Sequence, residues 1–426
     1  MIYATNISSR PQFRTWITWL LVAGLALLLV PASYAGKKDK KKQQEVVPAK
    51  KQGIDRSKID TSKLVWPLPP DLPRIKFISE HFGEPPKPVE AKPKKKKQGW
   101  MDRMAGVQQR ESGDPTEPSH TLGQPYGIAV DSKGRVFVGD TFVAAVFIFN
   151  TEKKEVTFLR NGHEAAFRSI IGLALDDSDR LFVADAAMHQ VSVFNSELKL
   201  ESTFGDTVLK RPSGIAVDNE NRFVYVVDTG NETVFVFDAD NFKLLRKVGG
   251  PAKKLNDDDP ETFAKPTNVA LDKDGNVYVS DTLNNRIQIF DADGKFISMF
   301  GKAGDAPGTF QRPKGVAIDS DGHIWVVDAS QCNVQIYDKE GHLLAYFGYG
   351  GGLPGQFGLP AGIAIDKNNR AIVSDQVRGR IQIFRYITDA ENAAAKVGAA
   401  KEKAAEAPAS ATGTKQFEQK TAEVKQ

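Results

Sequence analysis

The stretch Gly315-Val-Ala-Ile-Asp-Ser-Asp-Gly-His-Ile-Trp-Val-Val-Asp328 holds two short apolar runs, each ending in an aspartate, on either side of a polar turn. The same arrangement occurs six times between residues 119 and 387. The first runs of the six copies are Gly127–Asp131, Gly172–Asp176, Gly214–Asp218, Asn268–Asp272, Gly315–Asp319 and Gly362–Asp366. Their aspartates are 45, 42, 54, 47 and 47 residues apart, which indicates repetition of one supersecondary unit.

Each copy continues with two further apolar runs, although the sixth copy has only one of them. In the fifth copy the third run is Val334–Tyr337, and the fourth ends at Phe347-Gly348. Four short strands per copy, separated by turn residues, are typical of one propeller blade. Such units bury their cores only against neighbouring copies. The sequence therefore predicts an all-β, six-bladed β-propeller with four-stranded antiparallel blades.

The third copy is one residue longer between its two aspartates. Asp218 and Asp228 are ten residues apart, whereas the other five copies have a spacing of nine. An extra residue in a strand produces a β-bulge. We therefore expect a bulge within residues 222–227.

The sixth copy ends after its third run, and the missing strand is found near the N-terminus. Lys76-Phe-Ile-Ser-Glu-His-Phe-Gly83 matches Lys295-Phe-Ile-Ser-Met-Phe-Gly301, the fourth run of another copy, with one residue inserted. We expect the segment 62–83 to supply the outer strand of the last blade and close the ring. Closure of this kind removes sheet edges that would otherwise pair with other chains.

The repeats resemble those of the NHL family. The connection Gly301-Lys-Ala-Gly-Asp-Ala-Pro-Gly-Thr-Phe-Gln-Arg-Pro-Lys-Gly315 and the turn Asp281-Thr-Leu-Asn-Asn-Arg286 are close to that family's consensus. The likeness implies a six-bladed propeller, here of an exported, bacterial type. It also implies a platform that binds proteins, RNA or ligands, since only some members of the family are enzymes. Fold alone does not define the chemistry.

The N-terminal segment 1–35 resembles an export signal. Arg10 and Arg14 precede an apolar run at 16–30, and small residues at Ser33 and Ala35 fit a cleavage site. The run is shorter than a spanning helix requires. We expect export to the periplasm or the outside of the cell; the alternative is a membrane anchor formed by residues 16–30. The lysines that follow at once favour the cytoplasmic side and fit neither interpretation.

Three further segments have little apolar content. A lysine-rich segment (36–61), a Pro/Lys-rich linker (84–118) and an alanine-rich tail (388–426) are predicted to be disordered. Within the linker, the spacing of Trp100, Met101 and Met104 predicts a short amphipathic helix. The tail has helix-forming residues without an apolar face, so the alternative there is an unpacked helix.

The charge is divided between the repeats and the terminal segments. Residues 119–387 carry 29 Lys and Arg against 35 Asp and Glu, which gives −6, while the rest of the chain carries 28 against 18, which gives +10. A folded nucleic-acid-binding surface would need the opposite distribution, so we expect no nucleic acid partner. Basic arms on an exported protein fit an anionic envelope component or another envelope protein as partner.

A basic sector on one face of the ring is the candidate binding site. The connections into the first strands and the turns between the second and third strands lie on one face, together with the mouth of the central channel. The candidate residues there are Tyr126, Arg211, Lys265, Asn284, Arg286, Arg312, Lys314, Arg378 and Arg380. Arginine binds carboxylates through two hydrogen bonds, so we expect an anionic or carboxylate-bearing ligand. The alternative is that these residues pair with the strand-end aspartates.

No residues with the spacing of a catalytic or metal-binding motif are found. The single cysteine, Cys332, excludes an intrachain disulfide, a Cys-rich zinc site and an iron–sulfur centre. Zinc lyases on similar propellers use clustered histidines, whereas the six histidines here are scattered. We therefore expect no catalytic residues, no metal and no cofactor.

The resulting prediction is a non-enzymatic NHL-repeat propeller that acts as a protein- or ligand-binding and assembly platform in the cell envelope. Two alternatives stay open. One is a propeller enzyme, either a metal-dependent lyase or a lactonase-like hydrolase. The other is a sensor attached to the membrane through the N-terminal apolar segment.

Overall fold

The computed structural model describes residues 56–68, 71–84, 121–162, 165–255, 258–388 and 391–394. The signal segment 1–35, most of the lysine-rich segment, the predicted helix at Trp100–Met104 and nearly all of the alanine-rich tail lie outside these residues. None of the helices in the described ranges has the length and apolar content to cross a membrane. The helical parts are two 3-10 turns at Arg56–Lys58 and Thr61–Lys63, a third at Thr282–Asn284, and one α-helical turn at 391–394.

Six antiparallel sheets form the predicted six-bladed propeller. The first strand of each blade contacts the first strands of the two neighbouring blades, so these strands surround the central axis. The N-terminal pair is β1 (Val65–Trp66) and β2 (Ile75–His81). Blade 1 comprises β3 (Pro125–Val130), β4 (Val136–Asp140), β5 (Ala145–Asn150) and β6 (Glu155–Arg160). Blade 2 comprises β7 (Ile170–Leu175), β8 (Leu181–Asp185), β9 (Gln190–Phe194) and β10 (Leu200–Phe204).

Blades 3 to 6 repeat this order. Blade 3 comprises β11 (Pro212–Asp218), β12 (Phe223–Asp228), β13 (Thr233–Asp238) and β14 (Leu244–Val248); the short β15 (Gly250–Pro251) and β16 (Thr262–Phe263) follow it. Blade 4 comprises β17 (Asn268–Leu271), β18 (Val277–Asp281), β19 (Arg286–Phe290) and β20 (Phe296–Phe300). Blade 5 comprises β21 (Pro313–Ile318), β22 (Ile324–Asp328), β23 (Asn333–Tyr337) and β24 (Leu343–Phe347). Blade 6 contains β25 (Pro360–Ile365), β26 (Arg370–Asp375) and β27 (Arg380–Tyr386).

The N-terminal strand closes the ring, as the matching sequences predict. β2 pairs antiparallel with β27, with Phe77 opposite Phe384, and β1 adds a fifth strand outside β2. A buried ionic contact fastens this closure, because the Arg380 guanidinium donates to Glu80 on β2 at 2.5 Å and to Asp375 at the end of β26 at 3.3 Å. The last blade is therefore built from both ends of the described chain.

The core lies between neighbouring blades. The second strands are buried almost throughout, because apolar side chains on both of their faces meet adjacent sheets. The outer strands hold exposed and half-buried residues with one buried residue at the end, as β10 and β24 show. This difference explains why the inner runs of each repeat are continuously apolar and the outer runs also contain polar residues.

The extra residue of the third copy lies in a turn, so the predicted bulge in residues 222–227 is wrong. β12 pairs with β13 without any break in register from Phe223 to Asp228. The turn before β12 contains the extra residue. In blade 4 the residue with positive φ, Gly275, comes three positions after Asp272, whereas in blade 3 Arg222 comes four positions after Asp218. A longer turn keeps every β12 side chain on its proper face, whereas a bulge would shift them.

Truncating Phe77 tests the closure of the ring. Its ring is buried and meets Phe384 edge to face at 5.7 Å. We expect Phe77→Ala to lower the free energy of unfolding by about 3–5 kcal/mol, the usual cost of removing a buried aromatic side chain. Urea denaturation followed by circular dichroism measures this.

The neighbouring residue on the same strand is the matched control. The Ile78 side chain is exposed, so Ile78→Ala should change the stability by less than about 1 kcal/mol. Equal effects of the two substitutions would contradict closure by β2.

Candidate functional site

The site residues lie on the face where the chain enters each first strand and where each second strand ends; we call it the mouth face. A buried aspartate at the end of each second strand organises this face. Asp228 accepts hydrogen bonds from the backbone N–H groups of Arg211, at 3.1 Å, and Asn231, at 2.8 Å. Asp328 does the same for Arg312 and Ser330. These carboxylates fix the turns that carry the site residues, so their repetition is explained by structure.

A cavity of about 610 Å³ opens on the mouth face, and we call it the mouth cavity; residues of blades 1 to 5 line it, and its cations come from blades 3 to 5. Five predicted residues line it together: Tyr126, Arg211, Lys265, Arg312 and Lys314. The remaining lining residues are small, hydroxylated or apolar: Ile171, Ala186, Pro212, Ser213, Thr229, Gly230, Thr267, Thr282 and Leu283. Its size is that of a small-molecule site.

The positive charge of the mouth cavity is only partly neutralised. Lys265 Nζ lies 2.8 Å from Glu232 Oε1, so this cation is paired. The side chains of Arg211 and Arg312 are exposed, and among the described residues no hydrogen bond or ion pair is found for either guanidinium. Because the lining includes no carboxylate, the two arginines keep their donors for a ligand.

Lys314 and Tyr126 form the inner wall of the cavity. Lys314 Nζ lies 5.1 Å from the centre of the Tyr126 ring and 3.3 Å from Gln376 Oε1. Burial, with a smaller contribution from the Arg312 charge, lowers the pKa of Lys314 to about 8. Burial raises the pKa of Tyr126 to about 12, although Arg312 and Arg211 act in the opposite direction. At neutral pH the Lys314 amine is thus mainly charged, and the Tyr126 hydroxyl beside it is protonated.

The first strands of neighbouring blades pack closely around the central axis. A Cβ atom on Gly362 would lie 2.0 Å from the Tyr126 carbonyl oxygen, and one on Gly172 would lie 2.0 Å from that of Ser213. Glycine at these positions of the repeat allows neighbouring blades to approach. The close approach holds the Tyr126 backbone in place beneath the cavity.

Four predicted residues do not line the mouth cavity. Arg286 is buried and donates to Asp281 at 2.9 Å, and Arg380 makes the closure contacts described above. Asn284 is buried and donates to the same Asp281 carboxylate. Arg378 is exposed and donates to the Gly351 carbonyl at 3.1 Å, away from the lining. Arg286, Arg380 and Asn284 thus pair with strand-end aspartates, which is the alternative to ligand binding that the sequence left open.

Gln376 is a contact of the site that the sequence reasoning missed. Its amide oxygen accepts from Lys314 and so joins blade 6 to the cavity. A signal was present, because Gln376 directly follows the strand-end aspartate Asp375, and the residues at that position in blades 2 to 4, Ala186, Thr229 and Thr282, line the cavity.

The mouth cavity does not fit a zinc or calcium ion. Its lining contains no histidine, cysteine, aspartate or glutamate, the residue types that bind these ions. The group in the described ranges with ligand atoms close enough for a metal is Asp338, Glu340 and His342, in a surface turn of blade 5. We therefore derive no reaction step through a metal.

Comparison with protein families agrees with the fold. A family model for the NHL repeat matches residues 209–237, and one described as a 6-bladed beta-propeller matches residues 254–345.

A curated relative and two solved structures are similar to parts of the chain. A probable peptidyl-alpha-hydroxyglycine alpha-amidating lyase from Caenorhabditis elegans is 33% identical over 106 residues, which cover 25% of this chain and 29% of the relative. The chain thus matches less than a third of that relative's length. A protein of unknown function from Bacteroides thetaiotaomicron superposes with a TM-score of 0.53 at 18% identity, covering 63% of this chain and 70% of the other. A gluconolactonase from Xanthomonas campestris gives 0.50 at 16% identity, covering 62% and 87%.

These names contradict the prediction that the protein is not an enzyme. That prediction is wrong because it rested on the absence of short catalytic motifs. A propeller builds its site from single residues of several blades, which are about 45 residues apart in sequence. Motif spacing therefore says nothing about catalysis in this fold.

Proposed function

We propose that this chain, an NHL-repeat six-bladed β-propeller, binds a small carboxylate in the mouth cavity. The observation that carries the proposal is the cluster of Arg211, Arg312 and Lys314 around a cavity whose lining has no acidic side chain. Clustered cations without counter-charges repel one another, and an anion relieves that repulsion.

The geometry favours a ligand whose carboxylate faces the arginines. Each guanidinium can donate two parallel hydrogen bonds to a carboxylate. Lys314 lies deeper and adds a single point charge. The apolar lining residues, Ile171 and Leu283 among them, leave room for a carbon skeleton beside the charged group.

Titration calorimetry with simple carboxylates and their amides tests the proposal. We expect acetate and propanoate to bind one site per chain, while acetamide and propanamide do not bind. Arg378→Gln is the matched control, because it removes an exposed arginine that does not line the cavity and should leave the affinity unchanged. Equal binding of acid and amide would overturn the proposal.

A second function, favoured by Lys314 and by the similarity to the lyase, is cleavage of the carbon–nitrogen bond of a carboxylate-bearing carbinolamide. In this second function Arg211 and Arg312 hold the substrate carboxylate, and the neutral form of Lys314 takes the proton of the substrate hydroxyl. The C–N bond breaks as the C=O bond forms, and the departing nitrogen takes a proton from Tyr126. An aldehyde and an amide leave. Proton transfer from the Lys314 ammonium to the Tyr126 phenolate through solvent restores the starting state; Lys314 Nζ lies 5.1 Å from the centre of the Tyr126 ring.

Release of glyoxylate from N-benzoyl-α-hydroxyglycine tests this second function. We expect Lys314→Met to lower the rate by about 10²–10⁴-fold, the usual contribution of a general base, and Arg378→Met to leave it unchanged. A rate equal to the uncatalysed reaction with the unaltered protein would reject the lyase and leave carboxylate binding untouched.

Export and an envelope partner complete the proposal. The apolar run at 16–30 with its small-residue cleavage site supports export, and the basic segments support an anionic envelope component or another envelope protein as partner. Exposed apolar side chains on the outer strands of blades 4 and 5, such as Ile297, Leu344 and Tyr346, offer a surface for a protein. Mass spectrometry of the N-terminus of the protein isolated from the envelope tests export, since a start at Gly36 supports cleavage and an intact Met1 contradicts it.

A further inference from the structure

The mouth face is chemically divided between its two halves. The residue before the proline that leads into the first strand is Arg211, Lys265 or Arg312 in blades 3 to 5, and it is Leu359 in blade 6. The second residue after the strand-end aspartate also differs between blades: Phe142, Ala187, Gly230, Leu283, Ser330 and Val377, in blade order. The exposed bulky apolar groups at this second position therefore stand on blades 6 and 1, since Leu283 of blade 4 is half-buried in the cavity lining. The cations before the entry strands stand on blades 3 to 5, and the exposed Arg378 follows Val377 on blade 6.

Two apolar side chains of blades 6 and 1 are unusually exposed for their type. Phe142 is 76% exposed and Val377 is 63% exposed. Together with the half-buried Leu359 they form what we call the apolar sector. Their turns are fixed, since Asp140 accepts from the Phe142 N–H group and the Leu359 carbonyl accepts from Gln376 N–H. The exposure is thus held by rigid backbone.

The two blades of the apolar sector lie against one chain segment, Leu122-Gly123. A Cβ atom on Gly123 would lie 2.8 Å from the Phe142 ring, so this ring covers Gly123. A Cβ atom on Gly379, in the turn of blade 6, would lie 2.5 Å from the Leu122 carbonyl oxygen. Phe142 and the turn that carries Val377 therefore flank the same segment.

The apolar sector also adjoins the mouth cavity. Gln376 accepts a hydrogen bond from Lys314, and Val377 is the next residue in the chain. The cavity thus ends in a cation at the point where the apolar sector begins. Gly230 and Leu283, which hold the same repeat position as Val377 and Phe142, line the cavity, so a ligand that extends from the arginines past Lys314 heads for the turns of blades 6 and 1.

We propose that the ligand of the mouth cavity is an amphipathic carboxylate, with its charged group among Arg211, Arg312 and Lys314 and a linear apolar chain lying over Val377 and Phe142. The inference rests on the proposed carboxylate site and names the class of ligand that occupies it. The positive charge of the cavity selects the carboxylate end of the ligand, and the apolar sector favours an apolar chain at the other end.

Calorimetry with the full chain and the series propanoate, butanoate, hexanoate and octanoate tests the inference. A fully buried methylene contributes about 0.8 kcal/mol, which is about fourfold in affinity. A methylene on an open surface is covered on one side only, so we expect half of that free energy, about twofold in affinity per methylene. Octanoate should therefore bind about 30-fold more tightly than propanoate. Octanamide should bind far more weakly than octanoate.

The double variant Phe142→Ser/Val377→Ser distinguishes the apolar sector from other surfaces. Both side chains are exposed, so folding should be unaffected, and we expect propanoate to bind as before while the gain with chain length disappears. The matched control is Leu344→Ser, an equally exposed apolar residue on the outer strand of blade 5, which should retain the gain.

The outcomes separate this inference from the proposed function. A gain with chain length that persists in the double variant, or the absence of a gain in the unaltered protein, overturns the inference while propanoate binding still supports the carboxylate site. Failure of every carboxylate to bind overturns both.

Discussion

Replacing Arg211 and Arg312 together with glutamine should lower the affinity of the mouth cavity for carboxylates by about 100-fold or more. Each guanidinium makes charge-assisted hydrogen bonds that contribute about 1.5–3 kcal/mol, and the two arginines act on the same carboxylate. Calorimetry with propanoate measures the loss.

The double substitution should not disturb the fold. Both side chains are exposed, and the contacts that hold their turns are made by backbone N–H groups to Asp228 and Asp328, which glutamine retains. The melting temperature should therefore stay within a few degrees of the unaltered protein. An unchanged affinity would remove these arginines from the binding site.

Replacing Arg380 with methionine should destabilise the closure of the ring about as much as Phe77→Ala does. Arg380 is fully buried and donates to Glu80, to Asp375 and to the carbonyl of Gln356. Methionine leaves the buried Asp375 carboxylate without its counter-charge, while Glu80 keeps its ion pair with Arg56. Breaking a buried ion pair in this way costs about 3–5 kcal/mol.

Arg385→Met on the same strand is the control. Arg385 is half exposed and pairs with Glu391 near the surface, so its loss should cost no more than about 1 kcal/mol. Urea unfolding of the two variants gives the comparison. Similar midpoints would show that the ionic contact between β2 and blade 6 does not stabilise the ring.

The sequence was sufficient for the architecture because one pattern is repeated six times. The match between the strings at Lys76 and Lys295 also identified the strand that closes the ring, since both outer strands pack on the same kind of neighbour. The predicted bulge in the third repeat was wrong because the number of residues between two aspartates does not show whether an extra residue lies in the strand or in the turn.

The candidate site was only partly predictable. Arg211, Lys265 and Arg312 occupy the same place in successive blades, so the repeat itself placed them on one face. Arg286 and Arg380 follow the strand-end aspartate by five residues and lie opposite it in the strand register, inside the blade. Aspartate and arginine at that spacing form a buried pair, and the spacing was the signal that could have separated them from the binding residues.

Proton uptake on carboxylate binding is the measurement that tests the central claim most directly. With a pKa of about 8, Lys314 is about half protonated at pH 8. A carboxylate beside it favours the ammonium form, so binding raises its pKa and takes up about half a proton, and the affinity falls as the pH rises above 8. Propanoate titrations in two buffers of different ionisation enthalpy measure the uptake.

Lys314→Arg provides the control, because arginine stays charged over this range and should abolish the uptake while preserving binding. We expect an uptake of about half a proton per bound propanoate in the unaltered protein and none in the variant. Binding enthalpies that are identical in the two buffers for the unaltered protein would show that the carboxylate does not lie beside Lys314, and would contradict a carboxylate site in the mouth cavity.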